Sequence, residues 1–284
     1  MVAVARSRPN VSAPAPPRNP KFPLRLNQVN VPARTTHAVL RPQQLVAHAH
    51  TDLFRQPMST GQGVGMDSVD VRARMVQRLR AAGIANEAVL SAMATVPRHR
   101  FVDTALVTHA YEDTSLPIGH AQTISKPSVV ARMIELLCAG VNARRSGRLG
   151  SVLEIGTGCG YQAAVLASLA LQVVSVERLK PLHDKARELL APLRPTQLRL
   201  VYGDGMLGHP PNAPYDSIIA AAGGDAVPQA WLDQLAVGGR IVSPVRRAGS
   251  QHQVLVVVDH TEHGFDHAVF ESVYFVPLKS GLVA

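Results

Sequence analysis

Glu154, Gly156, Gly158 and Gly160 stand together in the run Val152-Leu-Glu-Ile-Gly-Thr-Gly-Cys-Gly160. Their types and spacing could do chemistry. A carboxylate within an apolar run, followed by alternating glycines, sets negative charge beside backbone that a ligand can approach closely, because glycine lacks a Cβ and accepts positive φ. Two further acids each close an apolar run: Glu177 after Gln172-Val-Val-Ser-Val, and Asp204 after Leu198-Arg-Leu-Val-Tyr-Gly. An acid about twenty residues beyond the first glycine commonly accepts both hydroxyls of a ribose. Asp204 is placed to accept from an adenine amino group. Either acid alone reads more simply as a solvated strand end, but glycine turn, Glu177 and Asp204 at successive strand ends read together as an adenosine site.

The elements that must carry these residues are a buried strand over Ser151–Glu154 and a helix over Tyr161–Ala170, joined by the glycine turn. Strand, glycine turn and helix start form the geometry that brings backbone up to a nucleotide-bearing ligand. A dinucleotide fingerprint needs its third glycine where the diphosphate meets the helix N-terminus. Tyr161 stands there instead, and the third glycine falls one residue early. This disfavours a nicotinamide enzyme. S-adenosylmethionine has no phosphate to accommodate, and its sulfonium and amino groups suit Glu154.

The length, 284 residues, fits one α/β domain with additions, and no apolar run is long enough to span a bilayer. Residues 1–65 hold nine of the twenty-one prolines, and their eight Lys and Arg against Asp52 supply +7 of the formal +9. The high pI therefore belongs to this segment and implies no basic, nucleic-acid-binding groove on the remainder. So proline-rich and aromatic-poor a segment is expected to be disordered; it lacks the apolar core of a secretory signal, and Met66 is a candidate start. From Val69 to Ile84 the apolar spacing predicts a helix interrupted at Gly83. Asn86 is the expected N-cap of Glu87–Thr95, ahead of Pro97. Tyr111–Lys126, with Pro117 and Gly119, is expected to be a structured loop rather than a regular element, and Ser128–Leu137 a helix. Asp216–Ile219 reads as a fourth strand, Trp231 and Leu235 as a short helix after Pro228, and Gln253–Asp259 and His267–Val276 as late strands. The twelve histidines lie at no metal-ligand spacing with cysteines, so no metal is expected. Two cysteines without a framework point to a reducing, cytoplasmic setting.

Leu116-Pro-Ile-Gly119, Gln122-Thr-Ile-Ser125 with Pro127, and Glu154-Ile-Gly-Thr-Gly158 through Tyr161 resemble the protein-L-isoaspartate O-methyltransferase family. So do Val96-Pro-Arg98, Phe101-Val-Asp103, Ser175-Val-Glu-Arg178, Gly203-Asp-Gly205, Pro214-Tyr-Asp216, Gly238-Gly239 and Phe275-Val-Pro-Leu278, in family order from about Asp67 onward. The resemblance implies a Rossmann-like class I S-adenosylmethionine-dependent methyltransferase fold: a central, mostly parallel sheet flanked by helices, with an N-terminal helical and loop extension. Residues 66–145 would hold the first helices and the substrate loop, and 146–284 the cofactor-binding sheet and last strands. The implied reaction methylates the α-carboxyl of L-isoaspartyl residues in damaged proteins, after which the ester collapses to a succinimide. Ser125 would be the active-site serine. Glu154, Gly156, Thr157, Gly158 and Gly160 would hold the methionine end of S-adenosylmethionine, Glu177 and Arg178 the ribose side, and Asp204 with Gly205 the adenine. Gln122, Thr123, Ile124, Ala221 and Ala222 would shape the substrate side. A monomer acting on isoaspartyl proteins, with no membrane partner, is expected.

That reaction needs no general base, because the attacking carboxylate, with a pKa near 4, is already ionised at neutral pH. The absence of a Ser-His-Asp constellation fits it. On residue types alone, Ser125 reads as an ST-turn or helix cap before Pro127. Where family members often have Thr-Ala-Ala-Pro-Pro, this chain has Ala221-Ala-Gly-Gly-Asp225. A looser loop carrying an extra negative charge predicts weaker substrate affinity. Two competing classes stay open at this level: a methyltransferase for a small molecule or nucleic acid, and a non-catalytic module whose basic segment binds an acidic partner.

Overall fold

The computed structural model describes residues 69–284 apart from Ala248 and Gln251; the expectations for residues 1–65 and for Met66 lie outside the described residues. The chain begins with α1 (Val69–Ala81) and α2 (Glu87–Thr95). Asn86 caps α2 as expected, its side chain accepting from the Val89 N–H at 3.1 Å.

The stretch expected to be a loop contains a small antiparallel hairpin, β1 (Leu116–Gly119) and β2 (Gln122–Ile124), in which Leu116 faces Ile124. Strands this short show no alternation to read, and Pro117 masks the first. At the tip, His120 and Ala121 both adopt left-handed φ, 53° and 54°, as a two-residue turn matched to strand twist requires. Helix α3 (Pro127–Cys138) follows, with Pro127 in its first turn. Its N-terminus is capped from a distance: Asp113 accepts from the Ser128 N–H and Oγ, both at 2.8 Å.

After α4 (Val141–Ser146) the chain builds the sheet from β3 (Ser151–Ile155), β4 (Gln172–Glu177), β5 (Leu198–Tyr202), β6 (Tyr215–Ala220), β7 (Leu235–Arg246), β8 (Gln253–Thr261) and β9 (Gly264–Val273). Helices α5 (Tyr161–Ala167), α6 (Lys180–Leu190) and α7 (Gln229–Leu232) lie between its strands. The sheet order is β5-β4-β3-β6-β7-β8-β9; the pairs from β5 to β7 are parallel and the last two antiparallel. Leu235 opens β7 rather than sharing a helix with Trp231, because α7 ends at Leu232. Alternate residues of each strand enter two cores. Val152, Val173, Ile219 and Val242 pack with residues of α1, α2, α3, α5 and α6. Leu153, Val174, Ile218 and Ile241 pack with Trp231 of α7. Helical cover is thus concentrated on one face.

The chain winds outward from β3 through β4 to β5, then returns to place β6 on the other side of β3. At such a reversal the loops at the carboxyl ends of neighbouring strands part and leave a crevice.

Candidate functional site

A cavity of about 400 Å³ opens at that reversal. Its wall is formed by Ile155–Cys159 after β3, Glu177–Leu179 after β4, Gly205 after β5 and Ala221–Ala222 after β6, with residues 118 and 120–125 of the hairpin opposite. Of the expected site residues, Gly156, Thr157, Gly158, Glu177, Arg178 and Gly205 line it on the sheet side. Gln122, Thr123, Ile124, Ser125, Ala221 and Ala222 line it on the substrate side.

Glu154, Gly160 and Asp204 sit behind the wall. Glu154 is 0% exposed and accepts from Ser175 Oγ, which is 2.6 Å from Thr157 Oγ1. Burial pushes the Glu154 carboxyl up to about 8; Ser175 and Gln162 pull it down, and the charge on Glu177 pushes it up. Glu154 Oε1 and Gln162 Nε2 are both buried and complete no hydrogen bond. Gly160 has φ 92°, and a Cβ there would lie 2.8 Å from Leu190 Cδ1. Its constraint comes from the packing of α6 against the turn.

Glu177 is buried at the end of β4, its Oε2 accepting from the Gly158 N–H and its Oε1 from the Leu179 N–H, each at 2.9 Å. Each oxygen keeps a lone pair for a further donor. Asp204 accepts from the Met206 N–H at Oδ1, and from Ser280 Oγ (2.8 Å) and the Gly281 N–H (2.6 Å) at Oδ2. Partial burial works to raise this carboxyl, but the Gly281, Met206 and Ser280 donors and the charge of Arg178 outweigh it and hold it below the usual range.

The C-terminal segment was missed as part of the site. Val276–Lys279 line the cavity. Arg178 donates to the Gly281 and Ser280 carbonyls, and Val283 pairs with Leu179. Periodicity could not reveal a segment held by its own backbone groups against distant side chains such as Arg178, Asp204 and Gln253; Phe275-Val-Pro-Leu278 within the resemblance is the one signal of it in the sequence.

The loop after β6 corrects two expectations. It is pinned rather than loose: the Gly223 N–H donates to the Val276 carbonyl, the Leu278 N–H to the Gly223 carbonyl, and the Arg246 N–H to the Gly224 carbonyl, at 2.8–2.9 Å. Asp225 is 79% exposed, pairs with Arg246 at 3.1 Å and does not line the cavity. Neither a loose loop nor a charge at the cavity is present to weaken substrate affinity.

Ser125 is half-buried on the cavity wall. Its carbonyl accepts from Arg98 Nη2 at 2.7 Å, whereas its hydroxyl makes no hydrogen bond to any described residue, which leaves a donor facing the site. Among the described residues no group of three His, Cys, Asp or Glu side chains could hold a metal ion, and no helix is long and apolar enough to cross a membrane.

Residues 70–282 match the family model for protein-L-isoaspartate(D-aspartate) O-methyltransferase. A protein-L-isoaspartate O-methyltransferase of Methylibium petroleiphilum is 60% identical over 264 residues, covering 92% of this chain and 96% of its own. That alignment reaches into the segment before Met66, since residues 66–284 make up only 219 of the 284. One solved structure of a protein-L-isoaspartate O-methyltransferase superposes with TM-score 0.66 at 27% identity, covering 74% of this chain and 67% of its own. A Plasmodium falciparum structure bearing the same family name, with S-adenosyl-L-homocysteine bound, superposes with TM-score 0.63 at 22% identity over 73% of this chain and 98% of its own, a likeness of fold.

Proposed function

The chain belongs to the protein-L-isoaspartate(D-aspartate) O-methyltransferase family, and from that premise and the site we infer a protein-repair methyltransferase that uses S-adenosylmethionine to esterify the α-carboxyl of L-isoaspartyl residues. When bound, S-adenosylmethionine supplies an electrophilic methyl group. The wall fits it: Glu177 keeps acceptor capacity on both oxygens for a ribose diol, and Gly156 and Gly158 line the cavity without side chains to fill it. Gly205 on the wall, with Asp204 behind it keeping one Oδ1 lone pair beyond the Met206 bond, would take the adenine side.

The chain's own contribution is alignment. The substrate carboxylate is ionised at neutral pH, so no residue needs to move a proton in the transfer. Holding its oxygen in line with the methyl group lowers the barrier by several kcal/mol. The observation that carries this reading is the Ser125 hydroxyl, without a hydrogen bond to any described residue, on the wall of the same cavity as the glycine turn. It would donate to the carboxylate and orient it, with Gln122, Thr123, Ile124, Ala221 and Ala222 shaping the space around it. A nucleophilic serine would need a base partner, and no described side chain bonds to its hydroxyl.

The test is a methylation assay with matched isoaspartyl and aspartyl peptides. Turnover of the isoaspartyl peptide alone is expected, reduced in Ser125→Ala by one to two orders of magnitude, about what loss of one charge-assisted hydrogen bond removes. Equal turnover of both peptides would refute the substrate assignment. We further propose a cytoplasmic monomer whose catalytic unit is residues 66–284; the two free cysteines are consistent with a reducing compartment, and a chain starting at Met66 is expected to keep its turnover.

A further inference from the structure

Arg98 lies in a 3₁₀ turn (Arg98–Phe101) after Pro97, and its side chain is 0% exposed. Nε donates to the Ala110 carbonyl at 2.7 Å, and Nη2 to the Ser125 carbonyl at 2.7 Å and, more weakly, to the Thr114 carbonyl at 3.4 Å. The guanidinium carbon stands 4.8 Å from the centre of the Tyr161 ring, at the start of α5 beside the glycine turn. Nη1 is buried without a partner, and no carboxylate among the described residues lies within ion-pair distance of the group.

Burying a cation that a carboxylate, Asp113, attracts only from beyond ion-pair distance is costly, so its retention here calls for a reason. A methionine or leucine could fill the volume but could not bridge two carbonyls fifteen positions apart in sequence. A lysine could carry the charge but not the planar fork that meets both at once. Burial lowers the guanidinium pKa, but an arginine stays charged at working pH. The cavity it backs would receive an anion.

We propose, building on the methyltransferase reading, that Arg98 is a positioning residue for methyl transfer: it fixes the Ser125 carbonyl, and so aims the Ser125 hydroxyl, while lending positive potential to the side of the cavity that takes the substrate carboxylate. Nothing else restrains that hydroxyl, since it has no hydrogen bond of its own; its direction follows from the backbone that Arg98 holds. The same guanidinium rests on Tyr161, so the substrate loop and the cofactor turn are registered against one rigid group. In-line transfer depends on that registration.

The test compares wild type, Arg98→Lys, Ser125→Ala and the double variant for peptide kcat and KM, S-adenosylhomocysteine Kd and melting temperature. In Arg98→Lys, peptide kcat/KM is expected to fall at least tenfold while the S-adenosylhomocysteine Kd stays within twofold. The double variant should lose little beyond Ser125→Ala alone, the non-additivity expected of one residue acting through another. A purely structural role would lower melting temperature and active fraction, leave both constants of the folded molecules unchanged, and overturn the proposal. Additive losses would overturn it too. Should Arg98→Lys fail to fold, the wild-type protein answers: the ¹⁵N guanidinium resonances of Arg98 should shift on adding an isoaspartyl peptide and not its aspartyl twin, and an absence of shift removes the idea. If instead the wild type turns over neither peptide, it is the methyltransferase reading that fails.

Discussion

Asp204 and Gly281, 77 positions apart, meet at 2.6 Å, where the backbone N–H of Gly281 donates to the carboxylate expected to face adenine. With Ser280 on the same oxygen and Arg178 on the Ser280 and Gly281 carbonyls, the C-terminal segment fixes the carboxylate while leaving Oδ1 a lone pair. On the proposed reading the segment would organise the adenine end rather than block it. Ending the chain at Lys279 should weaken S-adenosylhomocysteine binding about tenfold, the worth of roughly one hydrogen bond to a charged group. Calorimetric titration measures it, and tighter binding by the shortened chain would show that the segment competes with the cofactor.

Glu154 makes stability depend on pH in an unusual direction. Its carboxyl titrates near 8 in the fold against an ordinary 4.5, so between those values the native state binds more protons than the unfolded chain. Stability contributed by the neutral form is then complete below about pH 4.5 and is lost as pH rises through 8. The loss could reach about 5 kcal/mol at its upper limit. Glu154→Gln removes the titration and should flatten this slope. Urea midpoints at pH 5 and pH 8.5 decide it; parallel losses in both proteins would assign the slope elsewhere.

The hairpin tip holds strain. Ala121, with φ 54°, pays for a Cβ in the left-handed region, a cost of about 1–2 kcal/mol that glycine avoids, partly offset by the extra freedom glycine gives the unfolded chain. Ala121→Gly should therefore stabilise by about 0.5 kcal/mol. It should also raise the peptide KM a few-fold, because the tip lines the cavity and a freer tip presents Gln122 to Ser125 less uniformly. Thermal melting and steady-state kinetics on one preparation check both signs.

What could be read in the sequence was local. Glycine spacing, the apolar runs ending at Glu177 and Asp204, and the Asn86 cap are all set within a turn or a strand, and the fold carries them as expected. What escaped depends on distant partners. The depth of Glu154 is set by strands on both sides of β3, and the charge of Asp225 is answered by Arg246, twenty-one positions on. The hairpin at 116–124 is too short to show a period, and the β7 start at Leu235 follows from pairing with Tyr215 of β6. The Val276–Lys279 wall is held in part by the backbone of Gly223, which bonds to Val276 and Leu278. That last dependence is itself testable: Gly223→Pro deletes the N–H that meets Val276, and it should destabilise the chain by about 1–3 kcal/mol in urea unfolding. Unchanged stability would mean the loop is held by something other than these bonds.

Gly160 separates packing from ligand binding. An alanine there must adopt φ 92° and place its Cβ 2.8 Å from Leu190 Cδ1 and 3.4 Å from Ala186 Cβ. Leu190 is the last residue of α6 and is buried, so it has little room to yield. Gly160→Ala should cost about 2 kcal/mol or more through strain and overpacking, while leaving S-adenosylhomocysteine affinity of the folded protein within a few-fold, since residue 160 does not line the cavity. Measured against Leu190→Ala alone, which bears its own cavity cost, Gly160→Ala should lose only the part due to φ and not the part due to the clash. Denaturant midpoints of these variants, read beside their cofactor Kd values, distinguish the roles. A variant of unchanged stability that no longer binds cofactor would return Gly160 to the ligand side of the turn.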